Sequence, residues 1–278
     1  MERTFFHIFL NTPAGRENLL QSAYLAERTN PRSLSIFVPT ADKCVMYCDH
    51  TVVTLDLDDS YLRHPETAKQ HVNDALSDFK VTYDFFEPSA FTGGVMPDIH
   101  SDWALMTCPR AISQKSGRIG LGHIGPKIRA ILAHASFPIL IPSGNFKPWD
   151  RVTALFGGPG HGENGVQMAA AIADRAKVPL TVLTQLEKST REECKEALAA
   201  INLSNRIKQG NADWRVFETG TLEENLFSIT MDSLVVVDSG KHSIIEQVLF
   251  GSNLEKIQAL LPNQLLICGP NCQSTIEF

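Results

Sequence analysis

Residues 234–261 read LVVVDSGKHSIIEQVLFGSNLEKIQALL. The stretch opens with an apolar run of strand length and turns at Gly240 and Lys241. Gly251 and Ser252 then start a segment with apolar residues at helical spacing. Strand, loop, Gly-Ser and helix in this order build a cradle whose backbone N–H groups can face an anion. A strand that is apolar without alternation also implies a sheet covered on both faces, which is the habit of parallel sheets.

Working outward, the same order occurs twice. GPKIRAILAHASFPILIP (125–142) matches GSNLEKIQALLPNQLLICGP (251–270), and SDWALMTC (101–108) matches MDSLVVVDS (231–239). The first match is ungapped: Gly125 to Pro138 and Gly251 to Gln264 are both 13 steps. Upstream, RTFFHIFL (3–10) predicts a strand and NTPAG a turn. GRENLLQSAYLAERTN (15–30) predicts a helix on Leu19, Leu20, Ala23 and Ala26, and SLSIFVP (33–39) a second strand. RVTALFGG (151–158), ENGVQMAAAIADRAK (163–177) and VPLTVLTQ (178–185) repeat that strand, helix, strand unit. The repetition indicates an internal duplication. Its boundary falls in PSGNFKPWDR (142–151), which predicts one domain over 1–146 and a second over 147–278, each with about five parallel strands.

The halves differ. The first carries extra residues, TADKCVMYCDHTVVTLDLDDSYLR (40–63), in which only HTVVTLDL predicts a strand. Its third helix is degraded: EPSAFTGGVMPDIH (87–100) has Pro and Gly where the second half has TLEENLFSI (221–229).

With 43% hydrophobic and 20% charged residues in 278, the chain can bury a large core. A formal charge of −6, and no basic block, argue against nucleic acid or an anionic membrane as partner. No apolar run approaches the ~18–20 residues of a membrane span, and the N-terminus does not read as a signal peptide. Cys44, Cys48, Cys108, Cys194, Cys268 and Cys272 read as free thiols, so a cytoplasmic location is expected.

On DSLVVVDSGKHSIIEQVLFGSNLEKIQALLPNQLLIC (232–268) above all, the chain resembles a tandem universal stress protein. The resemblance implies an α/β fold of two doubly wound, five-stranded parallel-sheet domains, adenine-nucleotide alpha-hydrolase-like. Ligands would lie at the carboxyl ends of the strands where their order reverses. ATP-binding members carry Gly, two residues, Gly, nine residues, Gly, then Ser or Thr. Gly251-Ser252 fits the last element, whereas Asp238 and Lys241 stand where glycines belong and Gly240 is one place out of register. An Asp expected after the first strand is replaced by Asn11 in one half and by Gly157 or Gly158 in the other. Asp238 would set a carboxylate near the phosphates, which is repulsive unless a metal intervenes, while Lys241 could contribute charge in place of a glycine. The first half departs further, with Pro126 after Gly125 and Ile112 and Lys115 at the glycine positions.

The expected nucleotide- or anion-binding residues are therefore Gly157, Gly158, Gly240, Lys241, Gly251, Ser252 and Asn253. The expected ligand is ATP or another adenine nucleotide, held weakly, with no metal. GGPGHGENG (157–165) reads either as an anion loop using His161 and backbone amides or as a turn needing positive φ. The glycines at 117, 120, 122 and 125 lack a strand before them, and SGKHS (239–243) fails as a P-loop because Val235 and His242 stand at its defining positions. CVMYCDH (44–50) and PDIHSD (97–102) lack a second ligand pair at zinc spacing. No nucleophile elbow or paired carboxylates appear, so the sequence specifies no reaction, and weak ATPase activity is the most the resemblance allows. Competing readings are a ligand-free interaction scaffold and an adenine-nucleotide hydrolase.

The last strands, FPILIP (137–142) and NQLLIC (263–268), would be exposed apolar edges in isolated domains. The resemblance implies that they pair antiparallel, making an intrachain pseudo-dimer; homodimerisation is a further expectation.

Overall fold

The computed structural model describes residues 4–49, 51–57, 64–109, 125–186, 189–238 and 261–272. The chain forms two compact units, Met1–Lys147 and Pro148–Ile276.

In the first unit the elements run β1 (Thr4–Ile8), α1 (Pro13–Thr29), β2 (Ser33–Phe37), β3 (Lys43–Cys48), β4 (Thr51–Asp56), α2 (Pro65–Leu76), β5 (Tyr83–Phe85), β6 (Phe91–Thr92), β7 (Met96–Ile99), β8 (Leu105–Thr107), α3 (Pro126–His134) and β9 (Ile139–Ile141). Five of these strands form a parallel sheet in the order β9-β8-β1-β2-β5. β1 is buried along its whole length, and Phe5, Phe6, Leu34 and Ile36 form the centre of the core.

α1 begins two residues before the sequence places it. Thr12 caps it, its hydroxyl accepting from the Gly15 N–H at 2.8 Å, and Pro13 sits at the first helical position, where no donor is needed. Gly15 is imposed by packing: a Cβ there would lie 1.7 Å from the Leu10 carbonyl oxygen. Farther along α1, buried Gln21 holds the chain that follows β9. Its amide donates to the Ser143 carbonyl (3.0 Å) and accepts from the Ser143 N–H (2.7 Å) and hydroxyl (3.0 Å). Glu17 accepts from the Phe146 N–H at 2.6 Å.

The extra segment of this unit contains more structure than its sequence suggests. β3, for which the sequence predicts no element, pairs antiparallel with β4 from Lys43↔Asp56 to Cys48↔Thr51. The degraded third helix is replaced by a β6–β7 hairpin turning on Gly93 and Gly94, both at positive φ, and β7 lies parallel to β3. A separate four-stranded sheet, β4-β3-β7-β6, results.

The second unit runs β10 (Arg151–Phe156), α4 (Glu163–Ala176), β11 (Leu180–Gln185), α5 (Arg191–Ala200), α6 (Leu203–Lys208), β12 (Ala212–Phe217), α7 (Leu222–Leu226), β13 (Ser233–Asp238) and β14 (Leu265–Cys268). Its parallel sheet has the order β12-β11-β10-β13-β14, which is the order of the first unit strand for strand. All six residues of β13 are buried, as its unbroken apolar run requires. α5 and α7 start with complete capping boxes on Thr190 and Thr221. α7 is shorter than TLEENLFSI suggests: beyond Leu226 the N–H groups of Phe227, Ser228 and Ile229 bond three residues back, a tightening that ends the helix. The helix expected from Gly251 lies outside the described residues.

Candidate functional site

In the second unit the chain winds from β10 through β11 to β12 on one side and crosses to β13 and β14 on the other. The strand order therefore reverses between β10 and β13, and the crevice outside their carboxyl ends is the place where open α/β sheets receive ligands. Gly157 and Gly158 stand there, directly after β10. Gly240, Lys241, Gly251, Ser252 and Asn253, the other expected binding residues, lie outside the described residues.

The glycine loop after β10 is a folded turn. Gly158, Gly160 and Gly162 have φ of 100°, 76° and 110°, a conformation that side chains oppose. The Gly157 N–H donates to the His161 carbonyl (2.8 Å), and the His161 N–H donates to the Gly158 carbonyl (2.9 Å). The Gly160 N–H donates to Glu163 Oε1 at 2.6 Å. These backbone donors are therefore taken up within the loop. The His161 ring is different: its Nδ1 is buried without a hydrogen-bond partner.

A second carboxylate reaches α4 from across the crevice. Asp238, the last residue of β13 and only 5% exposed, accepts from the Gly165 N–H through Oδ2 at 3.3 Å. The approach depends on glycine, since a Cβ on residue 165 would come within 3.0 Å of the Asp238 Cβ. Gly162 at the N-cap offers no side-chain acceptor, so Asp238 answers one of the unpaired donors of the first helical turn and sets a negative charge at the positive end of the dipole.

Beside this crevice, at the carboxyl ends of β10, β11 and β12, lies a cavity of about 30 Å³. Leu155, Phe156, Leu183, Phe217, Leu222 and Leu226 supply apolar walls, and Gln185 and Asn225 add two amides. Asn225 Nδ2 donates to Gln185 Oε1 (2.5 Å) and to the Thr219 carbonyl (3.0 Å), which fixes both amides at the rim. The cavity's volume is about that of one water, so it encloses no ring; its apolar walls and two amides form a recess against which one edge of a flat, uncharged heterocycle can rest.

The thiols here are poor nucleophiles. Cys268, in register with Asp238, is held well above the usual thiol range by a hydrogen bond with Cys272, by burial and by the nearby Asp238 charge. In the first unit, burial pushes Cys44 up to about 12 and Cys48 up to about 11, and raises Cys108 further.

At the corresponding crevice of the first unit, between β1 and β8, Asn11 occupies the position after the first strand and its Oδ1 lies 2.9 Å from His71 Nδ1; the Arg16 guanidinium lies 3.0 Å from the same nitrogen. His7, within β1, is fully buried. Its Nδ1 lies 2.8 Å from the Ser22 hydroxyl, which donates to Thr107 Oγ1 at 2.8 Å. Burial lowers the His7 pKa to about 3, so the ring is neutral at ordinary pH. In PDIHSD, Asp98 accepts from the Thr92 N–H (3.0 Å) and hydroxyl (2.6 Å), while His100 stacks on Trp103 and pairs with Asp102. Among the described residues no group of three or more His, Cys, Asp or Glu side chains could hold a metal ion.

The sequence marks the crevice but misses what closes it. Asp238 and Gly165 are 73 residues apart, and their contact joins a side chain to a backbone amide. One signal was available: Gly15 and Gly165 are each the third residue of the first helix of their unit.

Two sheets with this strand order, each with a crevice at its reversal point, define an α/β architecture of the doubly wound class. The fold is that of the universal stress proteins. A universal stress protein from Archaeoglobus fulgidus matches with a TM-score of 0.61 at 11% identity, over 97% of this chain and 99% of that one. A putative universal stress protein from Pseudomonas aeruginosa matches at 0.54 and 13% identity, over 97% and 94%. The cytoplasmic domain of a prokaryotic cation chloride cotransporter matches at 0.51 and 8%, over 98% and 96%. Neither family models nor curated proteins yield a match to the sequence. Among the described residues no helix is long and apolar enough to cross a membrane.

Proposed function

We propose that the chain is a cytoplasmic binding or regulatory module of the universal-stress type, whose second unit receives an adenine nucleotide weakly. The observation that carries this reading is the apolar cavity with its Gln185–Asn225 rim, placed at the strand ends beside the reversal point. The base rests at the mouth of this recess, and the glycine loop at 157–162 lies beside the rest of the ligand. Weak binding is expected because the loop's own groups already engage the Gly157, Gly160 and His161 N–H donors. Calorimetric titration with ATP tests this: the expected dissociation constant is micromolar or weaker, and nanomolar affinity would contradict it.

A second reading, a ligand-free scaffold, draws on the same internally bonded loop. The likeness to a transporter's cytoplasmic domain agrees with it, since one fold serves different tasks. Absence of any heat with ATP or adenosine favours that reading. Release of inorganic phosphate above the buffer rate would instead support the hydrolase alternative.

A further inference from the structure

We propose that Asp238 is the charge filter of the second unit's crevice, and that the crevice therefore selects an uncharged nucleoside over its phosphorylated forms. The proposal deepens the reading of this crevice as an adenine-nucleotide site and rests on it. Three observations on different elements support it. Asp238 ends β13 with its side chain buried and its Oδ2 on the Gly165 N–H, so the carboxylate stands where a phosphate oxygen would meet the first turn of α4. Gly165 lets β13 and α4 approach this closely, which fixes the carboxylate in place. Glu163 holds the Gly160 N–H in the same way, so two carboxylates occupy donors of one loop and helix start.

A polyphosphate entering here meets like charges in a partly buried crevice, where water screens them incompletely. The neighbouring cavity carries no charged side chain in its lining and offers the two amides. An uncharged base at the mouth of this recess meets no like charge, while the phosphate half is repelled.

The test compares adenosine and metal-free ATP by calorimetry on the full chain, in the unmodified protein and in Asp238→Asn. Asn keeps the size and an acceptor for the Gly165 N–H and removes the charge. In the unmodified protein adenosine should bind at least tenfold tighter than ATP, and ATP binding should strengthen as salt is raised. In Asp238→Asn the ATP constant should improve at least tenfold, with adenosine within about threefold and the salt dependence reduced. Equal or tighter ATP binding in the unmodified protein overturns the filter while leaving the nucleotide site standing. An unchanged ATP-to-adenosine ratio in a folded Asp238→Asn overturns the role of Asp238. Failure of both ligands to bind either protein removes the nucleotide reading, and the filter with it. Glu163→Gln, at the first position of α4, serves as the second variant: an effect on ATP as large as that of Asp238→Asn would move the assignment away from Asp238.

Discussion

The two units share a strand order and a glycine at the third position of their first helix, yet they use that glycine differently. In the first unit Gly15 meets the carbonyl of Leu10, in the turn that follows its own strand. In the second, Gly165 meets Asp238, at the end of the strand across the crevice. The repeat aligns Asp238 with Cys108, a buried thiol. One copy thus carries a carboxylate at its crevice where the other carries a thiol, above a neutral His7–Ser22–Thr107 network. The two units keep a close backbone approach at this glycine but differ in the chemistry around it.

The sharpest way to break the comparison is to add one methyl group to each helix. Gly15→Ala forces a Cβ against a backbone oxygen 1.7 Å away, so strand and helix must separate. A loss of about 4 kcal/mol or more is expected. Gly165→Ala meets its nearest atom at 3.0 Å and should cost about 1–2 kcal/mol. Thermal unfolding of the two variants ranks them, and equal losses would show that the two glycines are equivalent after all.

Acid should separate the units next. The folded His7 pKa of about 3 lies below the ordinary value of 6.5, so the unfolded chain takes up the proton first. The stability associated with keeping His7 neutral is fully present above about pH 6.5 and is lost as pH falls toward 3. The loss reaches about 3 kcal/mol by pH 4. Denaturant titrations of the unmodified protein and His7→Gln at pH 7 and pH 4 provide the check. The variant should lose less stability over that interval, and parallel losses would sink the assignment.

The smallest effect concerns helix starts. Thr12→Ala in the first unit and Thr221→Ala in the second each remove an oxygen that accepts a first-turn N–H, at a cost of about 1 kcal/mol. Urea midpoints resolve a change of that size. A null result for Thr221 would mean that Glu224, which accepts from the Thr221 N–H at 2.8 Å, holds α7 alone.

These contrasts also show what one sequence can reveal. β13 was legible because its apolar run does not alternate, the mark of a sheet covered on both faces, and the matched segments around it pointed to a repeated unit. β3 was not legible: Lys43–Cys48 buries Cys44, Val45 and Met46 in succession, which hides the alternation of a strand, and its partners come from residues 51–56 and 96–99. The hairpin at Gly93 and Gly94 reads as a broken helix until its partner is known. At the crevice, the place of Gly157 and Gly158 followed from the end of β10. The hold of Asp238 on Gly165 did not, because no local pattern reports a hydrogen bond across 73 residues.

The bonds from Gln21 and Glu17 to Ser143 and Phe146 bear on how the first unit is born. They join residues 122 and 129 apart, so nearly the whole unit must leave the ribosome before they can form. Until then α1 carries an amide and a carboxylate meant for partners still inside the exit tunnel, and a nascent chain halted at residue 142 is left with both waiting. For this half of the protein, synthesis and folding finish together.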